Sequence, residues 1–172
     1  RLLRITVRHS RHKHQALVSE DCTNYDFLRQ LCLNGFKELG VRKGSKKYEK
    51  YVERAKYELA TLKDLGFIDY TLLVWDVINY CKENDIPTGL GRGSAAGSLV
   101  LFLIGVTGID PVKHDLYFER FVSKIRAKKK VVDGVTYLDG SLMCDVDLDI
   151  CYYRRGDVIN YLEEKFTGRT AK

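Results

Sequence analysis

The sequence predicts an α+β fold, and three observations carry that expectation. Apolar residues recur at helical spacing through the first half of the chain, from Phe27 to Tyr80. Asp133-Gly134 stands between the β-forming pairs Val131-Val132 and Val135-Thr136, a hairpin signal, because both residues tolerate the positive φ of a two-residue turn. Further on, Met143-Cys144-Asp145-Val146-Asp147-Leu148-Asp149-Ile150 alternates carboxylate and apolar residues with the period of two that marks a strand. Helices come first, then strands.

Taken in order, residues 1–22 are basic and without clear period, apart from Leu2, Leu3, Ile5 and Val7, which suit a short strand. Thr23 to Asp26 has capping-box spacing, in which hydroxyl and carboxylate each accept an orphan N–H of the first helical turn. Phe27, Leu28, Leu31, Phe36 and Leu39 follow at helical spacing until Gly40. A second amphipathic helix is expected from about Lys47 to Leu65, with Tyr48, Val52, Ala55, Leu59 and Leu62 inward and Gly66 ending it. Asp69 is expected to cap a third, whose Leu72, Leu73, Val77 and Tyr80 face the core. Trp75 is read as core rather than as a stacking platform. Ile86-Pro87-Thr88 makes a brief extended piece before the glycine-rich loop 89–98. Helix is expected from Ser94 through Leu99, Phe102 and Leu103 to near Gly105. Asp110-Pro111 offers an N-cap followed by proline at the first helical position, a helix start. Beyond the hairpin and the acidic strand, Arg155 to Phe166 makes a last helix with Val158, Ile159, Leu162 and Phe166 apolar, closed by Gly168.

A length of 172 residues allows one domain with a real core, and an apolar fraction of 45% with 2 prolines argues that it folds. The formal net charge of +6 suits a polyanionic partner such as nucleic acid without requiring one. The 5 cysteines include no C-x-x-C pair, which argues against a zinc ribbon or a disulfide framework and fits a reducing cytoplasm. His9, His12 and His14 stand among Lys and Arg, where a solvated basic tail competes with a metal site. No apolar run approaches the ~20 residues of a membrane span, so no membrane is expected as partner. The chain opens on Arg1 and stops on a polar Thr-Ala-Lys, so it reads as a piece of something longer.

Gly89-Leu-Gly-Arg-Gly-Ser-Ala-Ala-Gly-Ser98 has the composition of a phosphate cradle: glycines permit close backbone approach, and Arg92 adds a forked cation. Free N–H groups at the start of the expected helix would point at a bound anion. The run is not a P-loop, which requires a lysine where Ala or Ser stands here. Gly91, Gly93 and Ala96 can be fitted to the dinucleotide fingerprint G-x-G-x-x-A, but the preceding strand is short and no second βαβ unit follows. A tight turn whose small residues serve helix packing is the simpler alternative.

Asp145, Asp147 and Asp149 would share one strand face, with Val146, Leu148 and Ile150 turned to the core. An EF-hand loop needs Gly at its sixth position and Glu at its twelfth; counted from Asp145 these are Ile150 and Gly156, so the calcium reading fails. A solvated surface strand remains as an alternative. Aspartate is a poor strand former, however, and like charges side by side repel unless cations sit against them. Two Mg²⁺ ions bridged by such carboxylates would explain the arrangement and would serve in-line phosphoryl displacement.

Together the two segments resemble the C-family bacterial replicative DNA polymerases, the family of the DNA polymerase III alpha subunit. The resemblance is carried by Tyr57-Glu-Leu, by Leu65-Gly-Phe-Ile-Asp-Tyr70, and by Ile86-Pro-Thr followed by the whole glycine run to Leu99. Gly108-Ile-Asp-Pro111, Leu116-Tyr-Phe-Glu-Arg-Phe121 and Asp145-Val-Asp-Leu-Asp149 extend it over roughly residues 48 to 168. It implies an incomplete polymerase-β-like nucleotidyltransferase palm within residues 23–172, preceded by amphipathic helices, with residues 1–22 a basic linker or the end of a preceding domain. It also implies Asp145 and Asp147 as catalytic ligands of two Mg²⁺ ions, and Arg92, Gly93 and Ser94 as contacts of the incoming dNTP. Asp149 receives no role. Primer-template DNA is the implied partner, with replisome proteins such as a sliding clamp reached through regions outside these residues.

The family's third catalytic aspartate is expected beyond residue 172, so the segment alone should be inactive. Leu90 and Cys144 stand where the family commonly has proline, and the stretch Lys124 to Gly140 is longer than usual, variation that phage-encoded members would accommodate. Its Lys124, Arg126, Lys128, Lys129 and Lys130 form either a contact for template or primer phosphate or a solvated face. A different class of reading is a non-catalytic nucleotide- or nucleic-acid-binding module that retains the palm fold.

Overall fold

Helix α1 (Asn24–Glu38) starts at the capping box: the Thr23 hydroxyl accepts the Asp26 N–H at 3.2 Å, and the Asp26 carboxylate accepts the Thr23 N–H at 3.3 Å. The computed structural model describes residues 22–122, 129–132, 135–138 and 144–166. The expected short strand at Leu2–Val7, the histidine cluster, Gly168 and residues 123–128 of the basic stretch lie outside them.

Helix α2 (Lys46–Asp64) is capped by Ser45, whose hydroxyl accepts the Tyr48 N–H at 3.1 Å, and Gly66 follows it at φ 75°. Its buried residues are Tyr51, Ala55, Glu58, Leu59, Thr61 and Leu62; Ala55, Leu59 and Leu62 face inward as expected, while Tyr48 and Val52 are half-buried. Helix α3 (Ile68–Glu83) has no side-chain cap. Asp69, expected to supply one, sits in the first turn and instead accepts a hydrogen bond from Asn24 Nδ2 at 2.7 Å, tying α3 to the start of α1. Trp75 is core as read: it is 5% exposed and meets Phe27 edge-on, with ring centres 5.3 Å apart. Burying side chains of this size supplies ~1.5–3 kcal/mol each, and α1 and α2 both pack chiefly on the largely buried segment Leu99–Leu103, with α1 also against α3.

The expected helix from Ser94 to Gly105 is in fact two pieces. A 3-10 turn covers Gly93–Gly97, the chain is extended at Ser98, and α4 (Leu99–Leu103) is a separate helix of 5 residues. The Asp110-Pro111 start is likewise only a turn. Asp110 accepts the N–H groups of Val112 and Lys113, as an N-cap should, and Tyr51 donates to its other oxygen at 2.6 Å. The chain then leaves helical geometry at Asp115, φ 50°.

Strands β1 (Lys129–Val132) and β2 (Val135–Leu138) pair antiparallel with Val132 opposite Val135, the register the Asp-Gly signal predicts. Helix α5 (Arg155–Lys165) returns against α3. Its Lys165 ammonium lies 2.7 Å from the Asp76 carboxylate, Tyr161 donates to Asp76 at 2.8 Å, and the Tyr161 and Tyr80 rings stack 3.9 Å apart. Only Val158 of the expected apolar set is fully buried, and Ile159 is 43% exposed.

The palm expectation is therefore overturned, and with it the α+β class. Among the described residues the body is helical, and its β structure consists of the β1–β2 hairpin and one isolated bridge, Thr88 to Ile150. A sheet needs partners for each strand's N–H and C=O groups. The acidic segment is extended, yet beyond that bridge no described strand lies alongside it.

Candidate active site

The acidic segment is held at both ends. The Val146 N–H donates to the Tyr70 hydroxyl of α3 at 3.2 Å. The Gly89 N–H donates to the Asp149 carbonyl at 2.9 Å, and the Cys151 N–H to the Pro87 carbonyl at 3.0 Å. These bonds set the two faces as the alternation predicts. Asp145, Asp147 and Asp149 are exposed, whereas Val146, Leu148 and Ile150 are half-buried against the helices. The Tyr70 hydroxyl is pushed above its ordinary pKa by burial; the Val146 N–H pulls it back, and the nearby Asp145 and Asp147 carboxylates add to the rise.

The same bonds bring the glycine loop against the carboxylates. Arg92 Nε lies 3.6 Å from Asp149 Oδ1 and 3.9 Å from Asp147 Oδ2. Gly89 is in contact with Asp149 so closely that a Cβ there would sit 2.9 Å from the aspartate's own Cβ. Gly93 opens the 3-10 turn at φ 66°, and a Cβ on it would lie 3.4 Å from Asp147 Oδ2. Here a left-handed backbone and a nearby carboxylate both favour glycine. Ser94 follows, exposed. Asp145 shares the carboxylate face but, among the described residues, makes no ion pair to the loop. Nor do three His, Cys, Asp or Glu side chains converge into a metal cluster there.

Two side chains that the sequence reading passed over, Arg54 and Glu58, support this loop from inside. Glu58 of α2 is fully buried. Its carboxylate accepts the Leu99 and Val100 N–H groups at 3.0 Å each, the Ser98 hydroxyl at 2.9 Å and Arg54 Nε at 2.6 Å. Burial pushes its pKa up, and the Val100 and Leu99 N–H groups and Arg54 pull it back. All four neighbours donate, so the shell fits the carboxylate form. The signal was present in the sequence: Glu58 stands on the apolar face of α2, four residues after Arg54. Asp149, which the sequence left without a role, stands beside Arg92 and Gly89.

A cavity of about 560 Å³ borders the loop at Thr88, Gly89 and Leu90, lined otherwise by α1, α4 and the chain after them. Arg92 and the three aspartates do not line it. The charged face, three carboxylates and one guanidinium, is open to solvent.

The family model for the bacterial DNA polymerase III alpha NTPase domain matches residues 26–172. The chain belongs to the DNA polymerase III alpha family. It is 40% identical over 149 residues to the DNA polymerase III subunit alpha of Aquifex aeolicus, a match covering 87% of this chain and 12% of that protein. It is 38% identical over 154 residues to the subunit of Helicobacter pylori strain J99, covering 90% and 11%, and 39% identical over 158 residues to that of Staphylococcus aureus strain MRSA252, covering 89% and 13%. The chain thus spans little more than a tenth of the length of the DNA polymerase III alpha subunits it matches. No helix among the described residues is long and apolar enough to cross a membrane.

Proposed function

We propose that these residues form the nucleotide-binding and part of the catalytic face of a cytoplasmic DNA-templated DNA polymerase. It would add deoxynucleotides from dNTP to a primer 3′-hydroxyl on primer-template DNA. What carries the reading is the meeting of Arg92 and Gly93 with Asp147 across more than fifty residues of sequence. Family membership supports the reaction class. Replisome contacts, such as a sliding clamp, would be made outside these residues.

In this reading Asp145 and Asp147 hold two Mg²⁺ ions. Their donor chemistry fits: exposed carboxylates on alternate positions offer hard oxygen ligands at an open face. When bound, the ions supply activation of the primer hydroxyl and charge neutralisation on the triphosphate. The protein's own residues orient and bind. Arg92 presents a guanidinium to phosphate oxygens, and the Gly93 and Ser94 backbone at the start of the 3-10 turn approaches the triphosphate without obstruction. The 172-residue segment by itself is expected to be inactive, and residues 1–22 are a basic lead-in to the unit that begins at residue 23.

In the full-length polymerase, Asp145→Asn and Asp147→Asn should each lower primer extension by at least about 10³-fold while primer-template affinity stays within about twofold. Near-normal extension by either variant would remove that residue from the site.

A further inference from the structure

We infer that Arg54 and Glu58 are positioning residues for the dNTP loop, acting through α4 and the 3-10 turn; the inference rests on the loop binding triphosphate as proposed above. Neither residue reaches the carboxylate face. Their connections run to the far end of the glycine run. Arg54 Nη2 donates to the Gly97 carbonyl at 2.9 Å and to the Leu116 carbonyl at 3.0 Å, while Nε is bound to Glu58. One guanidinium therefore joins three segments: α2, the end of the 3-10 turn and the chain leading to Phe118. It also lies 6.0 Å from the Phe118 ring centre.

Glu58 determines where α4 begins. The first N–H groups of any helix lack intrahelical acceptors. Here the Leu99 and Val100 N–H groups end on Glu58, and the Leu101 N–H on the Ser98 hydroxyl at 3.2 Å. The chain must therefore be extended at Ser98, and Gly93–Gly97 must close as a separate turn whose free end carries Arg92, Gly93 and Ser94. The positive end of α4 is consumed by an internal carboxylate. A bound triphosphate is left to the 3-10 turn and Arg92, and the geometry of that turn is inherited from the buried pair.

The test uses the full-length polymerase and steady-state primer extension. Glu58→Gln keeps the shape but replaces an acceptor oxygen by an NH₂ donor facing N–H donors. We expect the KM for dNTP to rise about tenfold, with kcat and primer-template Kd within about twofold. Ser98→Ala removes one bond to Glu58 and should raise the KM about threefold while the protein stays folded, so it decides the matter if Glu58→Gln does not fold. Arg54→Lys restores the charge without the fork and should behave like Glu58→Gln, since a single ammonium cannot serve both carbonyls and the carboxylate. An unchanged KM in folded Glu58→Gln or Ser98→Ala overturns the inference, as does a proportional loss of DNA affinity, which would mark a general structural role. Asp147→Asn, run alongside, separates the levels. If it is dead while Glu58→Gln is normal, only the positioning role falls; if it extends primers normally, both readings fall.

Discussion

The molecule uses the arginine–carboxylate pair twice, to opposite ends. Arg54 and Glu58 are 23% and 0% exposed at the side chain, 2.6 Å apart, and every remaining lone pair of Glu58 faces a donor. Arg92 and its partners Asp147 and Asp149 are 65%, 55% and 53% exposed, at 3.9 and 3.6 Å. In the interior, low polarity makes separation costly, so the first pair fixes chain geometry. At the surface water competes on nearly equal terms, so the second pair is weak and Arg92 is free to leave its aspartates, as the proposed phosphate contact requires. Burial, rather than residue type, separates scaffold from site.

Removing one partner of each pair should expose that contrast most strongly. Arg54→Ala leaves a buried, unpaired carboxylate and should cost about 3–5 kcal/mol of local stability. Arg92→Ala should cost less than about 1 kcal/mol. Hydrogen exchange at the Leu99 and Val100 amides in the full-length polymerase is the measurement. Equal protection in the two variants would erase the distinction.

The two faces of the acidic segment offer the next comparison. Its carboxylates face water, but Cys144 just before Asp145 is 7% exposed, and burial pushes its thiol up to about 12; Cys32 of α1 is pushed up likewise. At pH 8 both should alkylate about a thousandfold more slowly than an ordinary thiol, because the thiolate is the nucleophile. The folded values lie above the unfolded ones, so their contribution to stability is complete below about 9 and is lost as the pH rises toward about 12. Prompt alkylation of Cys144 in mass spectrometry would show that the segment is not seated on the helices.

How much of this could be read in advance depends on how far apart the interacting residues are. The capping box at Thr23, the stop at Gly66, the hairpin register and the in–out alternation from Asp145 to Ile150 all depend on near neighbours, and each holds in the structure. The start of α4 does not. Ser94 and Ser98 are equally good caps by local chemistry, and the choice is made by Glu58, 40 residues before Ser98. Asp69 failed as a cap for a similar reason, being claimed by Asn24, 45 residues away. The palm sheet failed because strand pairing is non-local, and alternation fixes faces without naming partners. The carboxylates and the glycine loop could be singled out as two segments; that they share a site followed from the family resemblance alone, and the contacts of Arg92 and Gly89 with Asp149 had no local signal.

Kinetics bring the exposed pair back into view. Arg92→Ala should lower kcat/KM for dNTP about tenfold to a hundredfold, most of it in KM, since a guanidinium–phosphate contact is charge-assisted. Unchanged steady-state constants would take Arg92 out of the site.

The smallest expected effect belongs to Asp149. It stands on the same face as Asp147 and pairs with the same guanidinium, 3.6 Å away, yet its place is set by the backbone bond to Gly89. If its role is to hold Arg92 near the triphosphate position, Asp149→Asn should change the KM for dNTP by no more than about threefold, and the change should shrink as salt rises and screens the pair. A loss as large as that of Asp147→Asn would instead make Asp149 a third working carboxylate, and the division of this face into metal ligands and an arginine guide would have to be redrawn.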